Sequence, residues 1–433
     1  MEARGFVRSP EGSSLGGFRW LVTAVTRTEK TYYLVVALWN FPGWFMNPVY
    51  PMFLASRGLD LFEVNLILTI FLIGVFLFEV PTGVIADLYG RKVSFLASCL
   101  TRMLAFTLYS FADGFAACAI AEVIDAIGLT LASGALDAWA VDGVRAEGDR
   151  RPTDHMFARA QAIVRGAMVV GGVICGYLAD RFGLSLPWLF AAAFFAVAFV
   201  VGWARMYDDR PVRVAGAAAV RPSPVRAAAL AFSAVRSHAV MRMLCLLTAA
   251  FAFTIMPVGI TWPPRMKEVT GEGFWVLGWI WAVLSVAALI GSSLVPALLR
   301  RLRREHLLFG ITLWRGLFLG GAAVATAFEP MLACLLVFEA MAWAHDPMMN
   351  AWMNEHVGED LRATVLSVRG MAFTLGGSLG LVCLGLLGRS EGIPVAWGVA
   401  AVLCVAFAPA YILLGRVARN GATAASVVAV GAK

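Results

Sequence analysis

Ionisable side chains are scarce inside the long apolar stretches of this chain, and those present are grouped. Glu79, Glu122, Asp125, Asp137, Glu339 and Asp346 are the acids, and Arg102, Arg165, Arg315, Arg369 and His345 are the bases. A charge in hydrocarbon costs ~2.5 kcal/mol or more, so each such residue either serves a function or is neutralised by a partner. Helical spacing sorts them into stripes. At about 100° per residue, Glu122, Asp125, Ser133 and Asp137 fall within about 120° of one face. Glu339, Trp343, Asp346 and Asn350 fall within about 60° on another stretch. Tyr33, Asn40, Trp44 and Asn47 share a third face, just before a kink expected at Pro48-Val-Tyr-Pro51. Carboxylates set among aromatic rings can carry protons or hold a cationic substrate. The arginines can neutralise those acids or clamp an anion.

Both uses of the acids have to be weighed. Counting ~1.5 Å per residue from each stretch's end, Arg102 and Asp125 both lie roughly 15 Å deep, and Arg315 and Glu339 roughly 13 Å. Arg369 and Asp346 match at roughly 10 Å, and Arg165 and Asp137 are at comparable depth. If these four pairs form, they tie neighbouring helices together, and a paired carboxylate makes a poor proton carrier. Glu122 has no basic residue at its depth, which makes it the leading candidate for a proton-coupling carboxylate. Glu79, just before Pro81, is the second. His345 reads as a packed, hydrogen-bonded histidine. His345-Asp346 could also suggest a membrane acyltransferase, but no second catalytic cluster accompanies it.

The elements that must position these groups are membrane helices. Sixty per cent of the 433 residues are apolar, 15% are charged, and the mean hydropathy is +0.77. A soluble chain of this length would carry more charge. Twelve spans of bilayer length can be marked: 31–55, 62–88, 93–111, 114–141, 157–179, 185–206, 240–262, 273–298, 306–328, 330–352, 363–387 and 392–415. A polar segment, 1–30, precedes them without a cleavable signal pattern. A hydrophilic linker, 207–239, separates two groups of six, 31–206 and 240–415, and a tail covers 416–433. The net charge of +7 resides in inter-span loops, which argues against a nucleic-acid partner. Lys and Arg on the side bearing the N-terminus outnumber the other side's by about five to one, the latter being Arg57, Arg181, Arg265, Lys267 and Arg389. Both termini are therefore expected in the cytoplasm. The seven cysteines all lie in apolar stretches with no CxxC pair, so neither disulfides nor a metal site is predicted. Arginine outnumbers lysine and alanine abounds, which reads as a GC-rich bacterial genome.

The halves look related. Asp137-Ala-Trp-Ala-Val-Asp142 near the end of span four corresponds to Asn350-Ala-Trp-Met-Asn-Glu355 near the end of span ten. Arg102 and Arg315 share that spacing, and Val164-Arg165-Gly166 matches Val368-Arg369-Gly370. Between spans two and three the chain reads Pro81-Thr-Gly-Val-Ile-Ala-Asp-Leu-Tyr-Gly-Arg-Lys92. Gly83, Ala86, Asp87, Gly90, Arg91 and Lys92 resemble the loop signature G-x-x-x-D-x-x-G-R-[RK] of the major facilitator superfamily of secondary transporters. Arg362-Ala-Thr-Val-Leu-Ser367, opening span eleven, adds to the likeness. Small residues at 83 and 86 suit a close helix crossing, and Gly90 suits a tight turn. Between spans eight and nine, Arg300, Arg301, Arg303 and Arg304 keep only the charge of the signature.

The resemblance implies an all-α integral membrane protein with twelve transmembrane helices in two pseudo-symmetric six-helix bundles. Spans one, four, seven and ten then line a central cavity. Asn40, Trp44, Asn47, Asp125, Asp137, Glu339, Trp343, Asp346 and Asn350 become candidates for substrate binding. Asp87 is expected to meet the start of span eleven near Leu361 to Thr364, beside Arg362, when the outside is open. Arg91 is expected to pair with Asp142. Pro48-Val-Tyr-Pro51 also resembles the P-v-x-P of twelve-span drug antiporters. Span five, however, has the glycines of the antiporter motif without its Gly-Pro, and span four lacks the antiporters' arginine. The expected function is proton-driven export of a small organic compound, a drug or secondary metabolite, by a monomer in a bacterial inner membrane. It needs no cofactor beyond a proton gradient. Uptake of a sugar, organic acid or amino acid is the alternative, with Arg165 and Arg369 clamping an anion. A non-transporting receptor on the same fold is more remote, and nothing points to an enzyme.

Overall fold

The computed structural model describes residues 25–209, 235, 238–355 and 359–431, with the side chains of Asp346, 354–355, 359–366 and 420–431 excluded. The polar N-terminal segment, most of the linker, and the side chains of Asp346 and Arg362 thus lie outside the described residues.

The chain is helical throughout this region. In order, the helices are α1 (Arg27–Phe45), α2 (Tyr50–Ser56), α3 (Leu61–Tyr89), α4 (Arg91–Phe111), α5 (Gly114–Ala132), α6 (Ala135–Ala146), α7 (Asp154–Phe182) and α8 (Leu186–Arg205). There follow α9 (Ala239–Thr270), α10 (Phe274–Leu299), α11 (Arg304–Val324), α12 (Phe328–Glu355), α13 (Glu359–Glu391) and α14 (Ile393–Gly431). Among the described residues, 11 helical segments are long and apolar enough to cross a membrane, α5 and α6 counting as one. The twelfth crossing is α1 with α2. Arg27, Glu29 and Lys30 lower its hydropathy, and residues 46–49 break the helix beside Pro48. Its contacts nevertheless run the full thickness of the bundle. Tyr32 bonds Asp137, Trp39 bonds Ser98, and Tyr50 packs on Trp188 beside the start of α8.

Local chemistry sets the helix ends. Thr26 with Glu29, and Asp60 with Glu63, form reciprocal capping boxes at the starts of α1 and α3. Gly90, at φ 96°, ends α3 and starts α4 in a single residue, a backbone region that a Cβ would strain. The first turn of α4 is capped from a distance. The Asp209 carboxylate accepts from the backbone N–H of Arg91 at 2.9 Å and of Lys92 at 3.0 Å. Asp209 belongs to what the sequence reads as linker. Its neighbour Tyr207 is fixed as well, stacked on Trp139 at 4.8 Å and donating to the Trp139 carbonyl. Gly134, at φ 68°, divides span four into α5 and α6.

Helices α1–α8 form one bundle and α9–α14 the other; the first packs around one apolar cluster, which takes in Ile260 and Leu381 of the second, and the second around two. One end of the molecule carries the loops at Gly90, Arg145–Arg151 and Arg300–Arg304; the far end carries those at Arg57, Arg181 and Gly271. Two seams join the bundles. Where α7 meets α10, a Cβ on Gly278 would stand 2.5 Å from the Gly172 carbonyl oxygen, and one on Gly172 would strike Trp281. The Asp180 carboxylate, at the far end of this seam, accepts from the Phe274 N–H at 2.8 Å. Where α3 meets α13, Gly388 and Gly385 abut Leu61 and Asn65, and Asp60 pairs with Arg389 at 3.2 Å. These α3–α13 contacts all belong to the far half. Gly83, toward the arginine-rich end, has open space where a Cβ would stand, so the close crossing expected there is not made in this state.

Candidate functional site

Between the bundles lies a cavity of about 600 Å³. From α1 and the turn after it come Asn40, Trp44 and Asn47, three of the four residues that spacing groups on one face, together with Trp39. The facing bundle contributes Trp262, Trp281, Phe338, Glu339 and Trp343. Glu122, Asp125 and Arg102 complete the polar part of the wall. The surface is thus aromatic, with a few charged groups that converge on one space.

The charges in the first bundle are firmly arranged. Arg102 and Asp125 form a two-pronged ion pair, Nε to Oδ1 at 2.7 Å and Nη2 to Oδ2 at 3.1 Å, both side chains being buried. Rings of Trp39, Phe106 and Phe195 surround the guanidinium at 4.7–5.5 Å. Gly128 makes room for the arginine, because a Cβ there would stand 2.4 Å from Arg102 Cγ. The Ser98 hydroxyl accepts from Trp39 Nε1 at 3.0 Å and donates to the Gly128 carbonyl, locking α1, α4 and α5 together. Glu122 is buried one turn away and accepts a hydrogen bond from the Tyr109 hydroxyl. Tyr109 in turn stacks on Trp188 at 4.2 Å. Glu122 makes no ion pair among the described residues.

The second bundle differs at the corresponding place. Arg315 is 1% exposed and lies against the rings of Phe251 at 4.4 Å and Phe338 at 5.2 Å. Its Nε and Nη2 make no hydrogen bond. The expected Arg315–Glu339 pair is not formed; Glu339 accepts from Trp343 Nε1 at 2.6 Å, four residues along its own helix. His345 stacks on Phe251 at 3.9 Å and its Nε2 bonds the Tyr411 hydroxyl at 2.7 Å, as a packed histidine would.

Other expected contacts are placed differently. Asp137 does not meet Arg165: it accepts from the Tyr32 hydroxyl at 2.6 Å, while Arg165 reaches across to Ser292 of α10 at 3.4 Å. Asp137 and Asn350 do not line the cavity. Asn350 is 11 residues beyond Glu339, some 16 Å along the helix toward the arginine-rich end, where it accepts from Arg369 at 2.9 Å. Glu79 is exposed and accepts from Ser133 at 2.9 Å. Arg91 pairs with Asp142 and also donates to the Ala138 carbonyl at 2.8 Å. Lys92 donates to the Met206 carbonyl at 2.7 Å, and Asp87 is exposed on the last turn of α3. Sequence reasoning missed Trp39, Tyr50, Tyr109, Trp262 and Trp281. The density of tryptophan on spans one and eight was the available signal for Trp39 and Trp281.

A twelve-helix protein with two related bundles around a central cavity, closed at one end by interlocking glycines, is a secondary transporter. The chain matches the Major Facilitator Superfamily over residues 33–381 and belongs to it. It is 22% identical over 392 residues to the uncharacterized MFS-type transporter YxaM of Bacillus subtilis (strain 168), covering 90% of this chain and 96% of that one. Among solved structures it resembles the nucleoside transporter NupG (TM-score 0.71, 13% identity, 90% of this chain and 98% of that one). It also resembles the POT family transporter PepTSo (TM-score 0.69, 12% identity, 92% and 99%). At such identities these two speak for the fold alone. The protein is accordingly a multi-pass membrane transporter of small molecules, not an enzyme, and its family needs no cofactor.

Proposed function

We propose that this transporter exports a small organic compound in exchange for protons, with Glu122 as a coupling carboxylate. The observation that carries this reading is the contrast between the cavity's acids. Asp125 is neutralised by Arg102, whereas Glu122 and Glu339 face the same aromatic space and make no ion pair among the described residues. A carboxylate held by hydroxyl or indole donors, and not in direct contact with a guanidinium, can exchange a proton for a substrate. Tryptophan and tyrosine faces supply a flat, apolar surface suited to a drug-like body. Arg165 and Arg369, which an uptake route for anions would use, bond Ser292 and Asn350 away from the cavity wall.

On this reading the arginine-rich end is cytoplasmic and faces the inside of a bacterial inner membrane. In that orientation the described contacts of the two seams lie in the outer half. The alternate state would bring Gly83 against α13, and a partly buried carboxylate at a helix start, the role proposed for Asp87, is worth up to ~2 kcal/mol. That biases a two-state equilibrium without freezing it.

The test is a substrate screen in proteoliposomes carrying a pH gradient and an internal pH dye. Export by antiport requires proton movement opposite to substrate. Co-directional movement would replace this reading with uptake by symport. Glu122→Gln is expected to abolish substrate-evoked proton movement while leaving substrate exchange across a membrane without a gradient. Full proton coupling in that variant would remove Glu122 from the mechanism.

A further inference from the structure

The loop joining α10 to α11 carries Arg300, Arg301, Arg303 and Arg304. The loop is one wall of a cleft of about 650 Å³, whose other walls are Trp352 of α12 and Gly415, Ala418 and Arg419 of α14. Arg300, Arg301 and Arg303 are exposed and form no ion pair among the described residues. Glu305, the acid in the lining, is already bonded to Arg419, and the Arg304 guanidinium lies 5.8 Å over the Trp352 ring. Helix α11 begins in this cleft with no side-chain cap, so the positive end of its dipole adds to the same field. Positive charge therefore converges here from the loop arginines, the start of α11 and Arg419, and Glu305 is bonded to Arg419.

The location selects the ligand. Helices α10, α11 and α14 all cross the membrane, and the cleft lies where α10 ends, α11 starts and α14 emerges, at the level of lipid headgroups. Leu298 and Leu302 beside it are 36% and 46% exposed, an apolar flank for acyl chain. We infer that this cleft binds the phosphate headgroup of an anionic membrane phospholipid. Arginine forks match phosphate oxygens, and basic pockets between helices at the membrane surface take this kind of headgroup.

The test uses the full-length protein in detergent, titrated with dioleoylphosphatidylglycerol, dioleoylphosphatidylcholine or sn-glycerol 3-phosphate, with adducts resolved by native mass spectrometry. Phosphatidylglycerol is expected to bind at least tenfold more tightly than phosphatidylcholine. The triple variant Arg300→Gln, Arg301→Gln, Arg303→Gln is expected to lose that preference. Equal binding of both lipids, or an unchanged preference in the triple variant, overturns the inference. Glycerol phosphate binding as tightly as the lipid overturns the assignment to a membrane lipid. Removing three charges can disturb insertion, so the corresponding triple lysine variant is the second arm. It keeps the topological charge but loses the planar fork, and it is expected to insert normally with several-fold weaker phosphatidylglycerol binding. Unchanged affinity in that variant overturns the role of the forks.

Discussion

Gly278 offers the sharpest test of how the far end closes. A Cβ added there would stand 2.5 Å from the Gly172 carbonyl oxygen and 3.1 Å from Val173 Cα. Both are backbone atoms in the middle of α7, so no rotamer change relieves the clash. Overpacking of this kind costs about 1–3 kcal/mol. In Gly278→Ala the cost falls on the state in which α7 and α10 are pressed together, and it vanishes once the seam opens. The equilibrium should then move about 5- to 150-fold toward the state open at the far end. Accessibility of Asn47→Cys, on the cavity wall, reads this out on a background where the exposed Cys383 is replaced by serine. A membrane-impermeant maleimide applied to the far side should label Gly278→Ala faster than its parent by a factor within that range. Gly83→Ala serves as the counterpart. Its methyl meets nothing in the present state, so it should weaken only a state in which α3 crosses α13 at the arginine-rich end, and it should slow labelling. Labelling of Gly278→Ala at the parental rate would refute the claim that this glycine contact holds the far end shut.

Other perturbations have separate readouts. Asp125→Asn removes the charge opposite buried Arg102 and should cost about 3–5 kcal/mol, seen as a lowered unfolding midpoint; Arg102→Met with Asp125→Leu should lose less than the single change. Asp209→Ala strips the cap from α4 and should cost ~0.5–2 kcal/mol, with faster hydrogen exchange at the Arg91 and Lys92 amides. Asp142→Asn breaks only a half-exposed pair and should change stability by less than about 1 kcal/mol in the same melt. Asp87→Asn should reduce transport in proteoliposomes while expression stays intact, because it removes the charge of the proposed latch at the start of α13; wild-type flux would exclude that role.

Much of the molecule is legible in its residues, and the failures share a physical origin. Hydropathy marks the spans because backbone groups in lipid must be satisfied within each helix, leaving little choice of structure. The loop at Gly90 and the contact between Arg91 and Asp142 are local to helix ends, where spacing alone decides reach. Arg102 and Asp125 could be matched by depth because α4 and α5 are adjacent and unbroken over that stretch. Depth failed for Arg165 and Asp137. Gly134 breaks span four between Asp125 and Asp137, so a count of 100° per residue carried through residues 133–134 gives the wrong azimuth. Beyond that break α6 turns Asp137 toward Tyr32 of α1, leaving Arg165 to reach the opposite bundle. The same reasoning covers Arg315 and Glu339: both are at the expected depth, but the guanidinium lies against Phe251 and Phe338 while the carboxylate finds a donor, Trp343, on its own helix. Depth is written in the sequence one helix at a time, whereas azimuth depends on every break between a residue and its partner. The ionic groups of the cavity belong to the second kind of information.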